Sequence, residues 1–543
     1  MSEAFVPEFP AIEAPTMEWD AWGVGESRRE LSPQIKSLLQ QALGVSEEQS
    51  APPTEANTTL RESTLGTSLI GSLEDLLGAD NVRTDAATRL RHAGGKSTPD
   101  LLRRRSTGEQ DAPDAVLLPG THDEVQALLQ LCAAEGIAVV PFGGGTSVVG
   151  GVDPTRGRFG SVVAIDLRRL NALVSLDPVS GIATLQAGAT GPQAEQLLGE
   201  HGLSLGHFPQ SFQFATIGGF AATRSSGQAS AGYGRFDDMV ESLRVATPSG
   251  TIDLGRGPAS AAGPDLRELF VGSEGTLGII TEVGVRVHPV PERTLYQAWS
   301  FPDFETGAAA LRAAAQSGSA PTVMRLSDEA ETGLNLALAG NIGGDSPAAS
   351  GCLAITTFEG TDAHAQARYN EVIALLAAAG GSALGEAPAE AWEHGRYDAP
   401  YLRDALLNAG AIVETLETAT TWSNLANLKS SVTTALTESL TAQGTPAIVM
   451  CHISHTYPTG ASLYFTVACA QAADPLSQWM AAKRAAGDAI VAAGGTITHH
   501  HAVGRDHRPW MESEVGELGA RVLRAVKDAI DPSGILNPGK LIP

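Results

Sequence analysis

The chain has 543 residues, 60 of them glycine and 31 proline, and a formal net charge of -25. That length leaves room for two or three domains with sizeable cores. The acidity excludes a nucleic-acid partner and disfavours electrostatic docking on anionic lipid, because both surfaces would repel the chain.

In chain order, residues 1–62 read as an acidic, proline-rich peripheral arm. It holds Trp19 and Trp22 in Glu-Trp-Asp-Ala-Trp-Gly and a helical pattern at Ile35, Leu38, Leu39 and Leu43, with disorder expected between Glu47 and Thr58. Residues 63–111 form a helical lead-in, with a helix beginning at Ser72–Leu77 and an exposed charged helix end at Arg103–Arg105. Thr121 and Glu124 then have capping-box spacing, and Val125, Leu128, Leu129 and Cys132 form one apolar helical face. Strands follow at Ile137–Phe142, Val162–Leu167 and Gly181–Gly188, with a helix at Gln193–His201. After Glu292 the composition shifts to alanine-rich helices alternating with single strands such as Leu353–Phe358 and Ala461–Ala468, and no internal repeat is evident. The last segment is an amphipathic helix followed by Asn537-Pro538-Gly539-Lys540.

Three glycine-bearing segments carry the first chemical signal. Pro141, Phe142, Gly143, Gly144, Gly145, Thr146 and Ser147 follow an apolar strand. Consecutive glycines let backbone amides converge without a Cβ in the way, and the two hydroxyls add donors, which suits a pyrophosphate. The second segment is Gln210, Ser211, Phe212, Gln213, Phe214, Ala215 and Thr216, continuing to Thr223, Arg224, Ser225 and Ser226. The third is Glu274, Gly275, Thr276, Leu277, Gly278, Ile279 and Ile280. Neither a G-x-G-x-x-G dinucleotide fingerprint nor a Walker lysine is present. Together the three segments resemble the flavin-binding domain of the vanillyl-alcohol oxidase/p-cresol methylhydroxylase superfamily. The resemblance implies an α+β fold: a p-cresol methylhydroxylase-type FAD-binding domain at 112–292, a ferredoxin-like α/β cap at 293–505, and a C-terminal helical segment at 506–543 returning to the flavin domain.

Three further features lie beyond the flavin domain. His499, His500 and His501 are adjacent, and on a strand alternate rings would face opposite ways, so that at most two would share a site. Tyr464 lies on an expected strand, while Arg325 and Arg403 sit in apolar surroundings, where arginine suits either an ion pair or a phosphate or carboxylate. With Trp19-Asp20-Ala21-Trp22-Gly23 and the flavin segments, they resemble the alkyldihydroxyacetonephosphate synthase family over nearly the whole chain. That resemblance implies noncovalent FAD and an exchange, without net redox change, of the acyl chain of acyl-dihydroxyacetone phosphate for a long-chain alcohol. The flavin N5 would hold the substrate's C1 between the two half-reactions. By the same resemblance Tyr464 moves the C1 proton, His499, His500 and His501 assist carboxylate departure and alcohol entry, Arg403 holds the phosphate, and Arg325 positions flavin or substrate. Since a free phenol has a pKa of about 10, Tyr464 acts as a base at neutral pH only if the histidines or Arg403 lower it.

The rival expectation is an FAD-linked 2-hydroxyacid dehydrogenase of the D-lactate or glycolate type. Members of that group carry Gly-Asp-Gly-Asn-Leu-His where this chain has Ser454-His455-Thr456-Tyr457-Pro458-Thr459-Gly460. The four cysteines, Cys132, Cys352, Cys451 and Cys469, show no metal-ligand spacing, and no metal is expected. No apolar run has membrane-span length, and neither a signal peptide nor a peroxisomal Ser-Lys-Leu-type terminus is present, so the expected location is cytoplasmic. The expected partners are a small-molecule or lipid substrate, with room for peripheral membrane contact and a homodimer.

Overall fold

The structure, a computed structural model, describes residues 14–45, 58–105, 109–338 and 351–543. The disorder expected for Glu47–Thr58 therefore falls, apart from Thr58, outside the described residues.

Local sequence sets the frame of the first unit. Thr121 caps the helix His122–Glu135 by accepting the Glu124 N–H at 3.1 Å, and Gly136 ends it with φ 65. Val125, Leu128, Leu129 and Cys132 on its apolar face are fully buried, each large side chain contributing roughly 1.5–3 kcal/mol. The chain turns there into the strand Ile137–Phe142, which pairs in parallel with Ser161–Asp166 from Ile137↔Ser161 to Phe142↔Asp166. These two strands, with Ala115–Leu117 and Val82–Arg83, make a four-stranded sheet. A second, five-stranded sheet runs Gly250–Leu254, Val240–Thr247, Ile279–Arg286, Ile182–Gln186, Leu173–Asp177. The helix expected to begin at Ser72 runs over Thr67–Leu77, so Ser72–Leu77 is its second half.

The second unit is one antiparallel sheet of seven strands. Their order is Ser382–Gly385, Arg293–Phe301, Cys352–Gly360, Val323–Ser327, Ile448–Thr456, Gly460–Ala470, Ala411–Thr421. The first four take the spatial order 4-1-3-2 of a ferredoxin-like unit, and the last three repeat it without a fourth strand. The cap is thus two ferredoxin-like halves fused through Leu326↔Ile453 and Ser327↔His452. The halves share a pattern of elements and not of residues, so the sequence shows no repeat. Helices cover one face. Leu425–Ala442 buries Leu425, Leu428, Val432, Leu436 and Leu440, and Pro475–Ala492 buries Trp479, Ala482, Ala486 and Ile490. They share a core with Leu463, Phe465 and Val467. Strand alternation then directs Tyr464 to the opposite face.

The chain's last segment returns to the first unit. Val139 donates to the Ile535 carbonyl at 2.9 Å, and Asn537 donates back to Val139 at 2.8 Å. The Asn537 carboxamide bonds the carbonyls of Gly151 (3.0 Å) and Glu274 (2.7 Å), and Lys540 Nζ bonds that of Asp153 at 2.7 Å.

The N-terminal segment departs from the expected peripheral arm. Trp19, Asp20, Ala21 and Trp22 are buried where the two units meet. The Trp22 N–H donates to Asp404 at 2.6 Å, and its indole meets Phe214 edge-on at 5.6 Å. The segment's carbonyls also take up buried cations: Trp19 accepts from Arg104 at 2.7 Å, Asp20 from Arg105 at 3.2 Å, and Glu18 from Lys96. Arg103–Arg105 is accordingly not an exposed helix end, because Arg104 lies buried and donates to the Trp19 carbonyl. Two indoles supply the apolar area that a solvated arm lacks.

Candidate active site

The Gly-rich loop leaves the strand Ile137–Phe142 with free amides. No backbone N–H of Gly143, Gly144, Gly145, Thr146 or Ser147 donates to a protein group among the described residues. Gly145 is buried and the others are half-buried. Such a run of unpaired donors fits a pyrophosphate. The Gln210 side-chain amide and the Ser273 hydroxyl, beside the other two segments, are likewise buried without a partner. These atoms suit FAD, whose polar groups would satisfy them.

The glycines serve loop contact more directly than ligand contact. A Cβ on Gly144 would run into the Phe214 carbonyl, and one on Gly143 into the Thr216 hydroxyl. Glycine therefore lets the first and second segments touch. Several other expected cofactor residues spend their side chains internally. Ser147 Oγ accepts the Gly151 N–H at 2.9 Å, Arg224 pairs with Asp237 (2.9 Å) and Glu268 (2.5 Å), and Ser225 Oγ meets His207 at 3.0 Å. Thr216 caps the helix Ile217–Ala222, and Thr223 Oγ1 donates to Gly219 at 2.8 Å. Glu274, at φ 51, accepts the N–H groups of Val503 (2.8 Å) and Gly504 (2.7 Å). Burial pushes its carboxyl up to about 7 against those two bonds. Glu274 thus ties the third segment to the residues just after the histidine triplet.

The triplet is not on a strand. Residues 499–501 form a bend around the buried carboxylate of Glu417, which sequence reasoning missed. Glu417 accepts the N–H groups of His499 (2.6 Å), His500 (3.2 Å) and His501 (2.9 Å), and the Thr498 hydroxyl at 2.5 Å. Burial opposes its charge, but the imidazoles of His500, His501 and His499 and the Thr498 bond outweigh burial and hold it below the usual carboxylate range. The bend gathers all three rings, where a strand would have separated them. Ring centroids are 5.2 Å apart for His499 and His500, and 4.8 Å for His500 and His501.

Glu417, Tyr464 and His452 lie in one row across three strands. Tyr464 stacks on His452 at 4.9 Å and on His500 at 5.9 Å. Its phenol is not lowered on balance by the histidines or Arg403. Burial, with Glu414 and Glu417 adding to it, pushes it up to about 12, and the Thr415 bond and Arg403 only partly offset them. Arg325 donates to Glu331 at 2.8 Å, and Glu331 also meets His452 Nδ1 at 2.8 Å, so Arg325 reaches the tyrosine only through two other side chains. Buried Arg403 donates to Asp404 through Nε (3.0 Å) and Nη2 (2.8 Å), and through Nη1 to the Lys96 carbonyl at 2.6 Å.

Two residues outside the expected set complete the cluster. His455 stacks on His499 at 5.1 Å, with its Nδ1 at 2.8 Å from Ser230 Oγ and 3.2 Å from Ser226 Oγ. Tyr457 OH meets His499 Nε2 at 2.6 Å, and Arg235 and Ser226 lie against the same phenol oxygen. His499 Nδ1 faces His500 Nδ1 at 3.0 Å. Burial holds His455 and His499 well below the ordinary histidine range, and His500 below it. A cavity of about 520 Å³ opens beside the cluster, lined by Thr223, Arg224 and Glu274 from the first unit and by Tyr457, Thr498 and His499 from the cap. No described helix is long and apolar enough to cross a membrane.

Known proteins share this architecture. Residues 113–254 match a family profile described as an FAD binding domain, and residues 290–541 one described as the C-terminal domain of FAD linked oxidases. An alkyldihydroxyacetonephosphate synthase of Dictyostelium discoideum is 38% identical over 483 residues, covering 86% of this chain and 79% of that one. A solved alkyldihydroxyacetonephosphate synthase superposes with a TM-score of 0.82 at 31% identity, covering 97% of this chain and 99% of that chain. A substrate-bound p-cresol methylhydroxylase reaches a TM-score of 0.66 at 16% identity over 87% of this chain and 96% of its own, which shows the shared α+β fold alone.

Proposed function

We propose that this chain, which belongs to the alkyldihydroxyacetonephosphate synthase family, exchanges the acyl group of acyl-dihydroxyacetone phosphate for a long-chain alcohol with noncovalent FAD. The observation that carries the reading is the convergence of Tyr464 and all three histidines on the cap face that Glu274 ties to the flavin segments. Gly143–Ser147, with Gln210 and Ser273 beside them, would hold FAD, which would supply covalent flavin chemistry at the glycerone carbon when bound.

Proton accounting assigns the side chains. Replacing an ester by an ether releases a carboxylate and one proton, since a free carboxylic acid ionises above pH of about 4–5. Tyr464, neutral at physiological pH, accepts or returns a proton at the substrate's C1 only in concert with a neighbour, and His500 stacks on it. The route outward runs from His500 Nδ1 to His499 Nδ1, then from His499 Nε2 to the Tyr457 hydroxyl at the cavity wall. Each ring takes the proton on one nitrogen and releases one from the other. Arg403 binds the substrate's phosphate by exchanging its Lys96 carbonyl for phosphate oxygen while Asp404 holds the fork in place. Arg325 positions His452, and through it Tyr464, by way of Glu331.

The 2-hydroxyacid dehydrogenase reading is less supported, because the relatives above that exceed 30% identity over most of the chain are synthases, whereas a D-lactate dehydrogenase at 36% identity matches only 40% of it. Purified protein incubated with acyl-dihydroxyacetone phosphate and labelled hexadecanol is expected to form labelled ether and free fatty acid. Bleaching of the flavin by D-lactate at catalytic rates, with no ether formed, would overturn the proposal.

A further inference from the structure

We infer that His455, His499 and His500 form a binding site for one divalent transition-metal ion of the zinc, nickel or copper kind, and that filling it stops turnover. One nitrogen from each ring lies within 4.8 Å of the others. Tetrahedral zinc with Zn–N distances of about 2.0–2.1 Å sets its nitrogens about 3.3 Å apart. His499 Nδ1 and His500 Nδ1 already face each other at 3.0 Å, and no ring nitrogen of the group has to draw in by more than about 1.5 Å if zinc is the guest.

The outer contacts are those of an oriented site. Ser230 and Ser226 hold His455 Nδ1 and Tyr457 holds His499 Nε2, which leaves His455 Nε2, and the His499 Nδ1 that faces His500, for a metal. Partners of this kind on the second nitrogen fix ligand imidazoles in metal sites. The charge balance is also favourable. Glu417 Oε2 lies 3.5 Å from His500 Nδ1, and Arg235, the cation that opposes a dication here, is itself paired with Asp237 at 2.9 Å. His499 lines the 520 Å³ cavity, which provides an entry path. Imidazole ligands select zinc, nickel or copper over magnesium or calcium. The sequence hid the site because His455 lies on a strand far from the triplet in the chain, outside any metal-ligand spacing.

Occupation would tie up the Nδ1 lone pairs of His499 and His500, which the proposed proton route needs; this part rests on the synthase reading. The test is equilibrium dialysis of chelator-washed, FAD-loaded protein against Zn²⁺ and, separately, Mg²⁺. One zinc per chain at micromolar free Zn²⁺ is expected, with no magnesium, and weakening by about 10-fold or more in His455→Ala and in Ser230→Ala, which keeps every ligand. Zinc binding that is absent, matched by magnesium, or unchanged in both variants overturns the site. Zinc that binds without slowing ether formation overturns the inhibition alone. Dialysis needs no turnover, so failure of the synthase reading remains distinguishable.

Discussion

Glu417→Gln probes the centre of the site while changing few atoms. The carboxylate receives four hydrogen bonds, three at Oε1 from Thr498, His500 and His501, and one at Oε2 from the His499 N–H. A glutamine can place its carbonyl at the first position, but its NH₂ then faces the His499 N–H, donor against donor. One charge-assisted bond is lost at about 1.5–3 kcal/mol, and one buried N–H is left unsatisfied at about 1–3 kcal/mol. The cost is thus about 3–6 kcal/mol, and the bend should shift to avoid it. We expect the cap's melting transition to fall on the order of 10 °C, and ether formation to fall at least about 10²-fold through misplaced imidazoles. The flavin spectrum should stay intact, because the cofactor segments are elsewhere. Charge adds a second readout. The depressed pKa of Glu417 contributes stability above the ordinary carboxylate range that is lost as pH falls through and below it. The wild-type melt should therefore decline in acid more steeply than that of the variant. Wild-type melting and turnover in Glu417→Gln would refute the account.

Tyr464→Phe keeps the ring stacked on His452 but removes the hydroxyl; turnover should fall about 10²–10⁴-fold with FAD still bound, and wild-type ether formation would remove Tyr464 from the mechanism. Arg403→Lys offers a point charge in place of a fork, so apparent affinity for acyl-dihydroxyacetone phosphate should weaken by about 1.5–3 kcal/mol, read from KM; an unchanged KM would make Arg403 structural. Gly144→Ala should lose FAD by forcing the first two cofactor segments apart, measured as flavin per chain after gel filtration. Glu274 has a carboxyl raised to about 7, so its contribution favours the fold at acid pH and is lost as pH rises through 7; thermal melts between pH 5 and 8 should show a flatter slope in Glu274→Gln, and an unchanged slope would contradict the shift.

The elements of the FAD-binding domain were legible because they rest on local rules. The helix 122–135 has a cap and a periodic face, and the strand 137–142 is a short apolar run ending in glycine. The histidine bend was not legible, since its shape comes from Glu417, about eighty residues upstream on a strand of the cap sheet. The sequence left the protonation of Tyr464 open, because burial and two acidic neighbours are properties of the folded sheet. The Trp19–Trp22 segment looked peripheral on composition. What places it is the need of Lys96, Arg104 and Arg105 for acceptors, which no single stretch of sequence displays. His455 and Tyr457 were visible in the sequence but carried no assigned role, because only the hairpin carrying them brings them under the triplet.

The anchoring of the Gly-rich loop by Asn537 bears on how the protein is made. Gly151, at the end of that loop, waits for a donor 386 residues further along the chain. At a synthesis rate of about 5–20 residues per second, that is a delay of roughly 20–80 s. During that interval the strand Ile137–Phe142 lacks its Leu536 neighbour, and the loop's amides have neither cofactor nor frame. Flavin loading should accordingly be a late, post-translational event. Ribosome-stalled chains ending before Asn537 should stay colourless in excess FAD, whereas full-length chains released from the same extract should take up the dye.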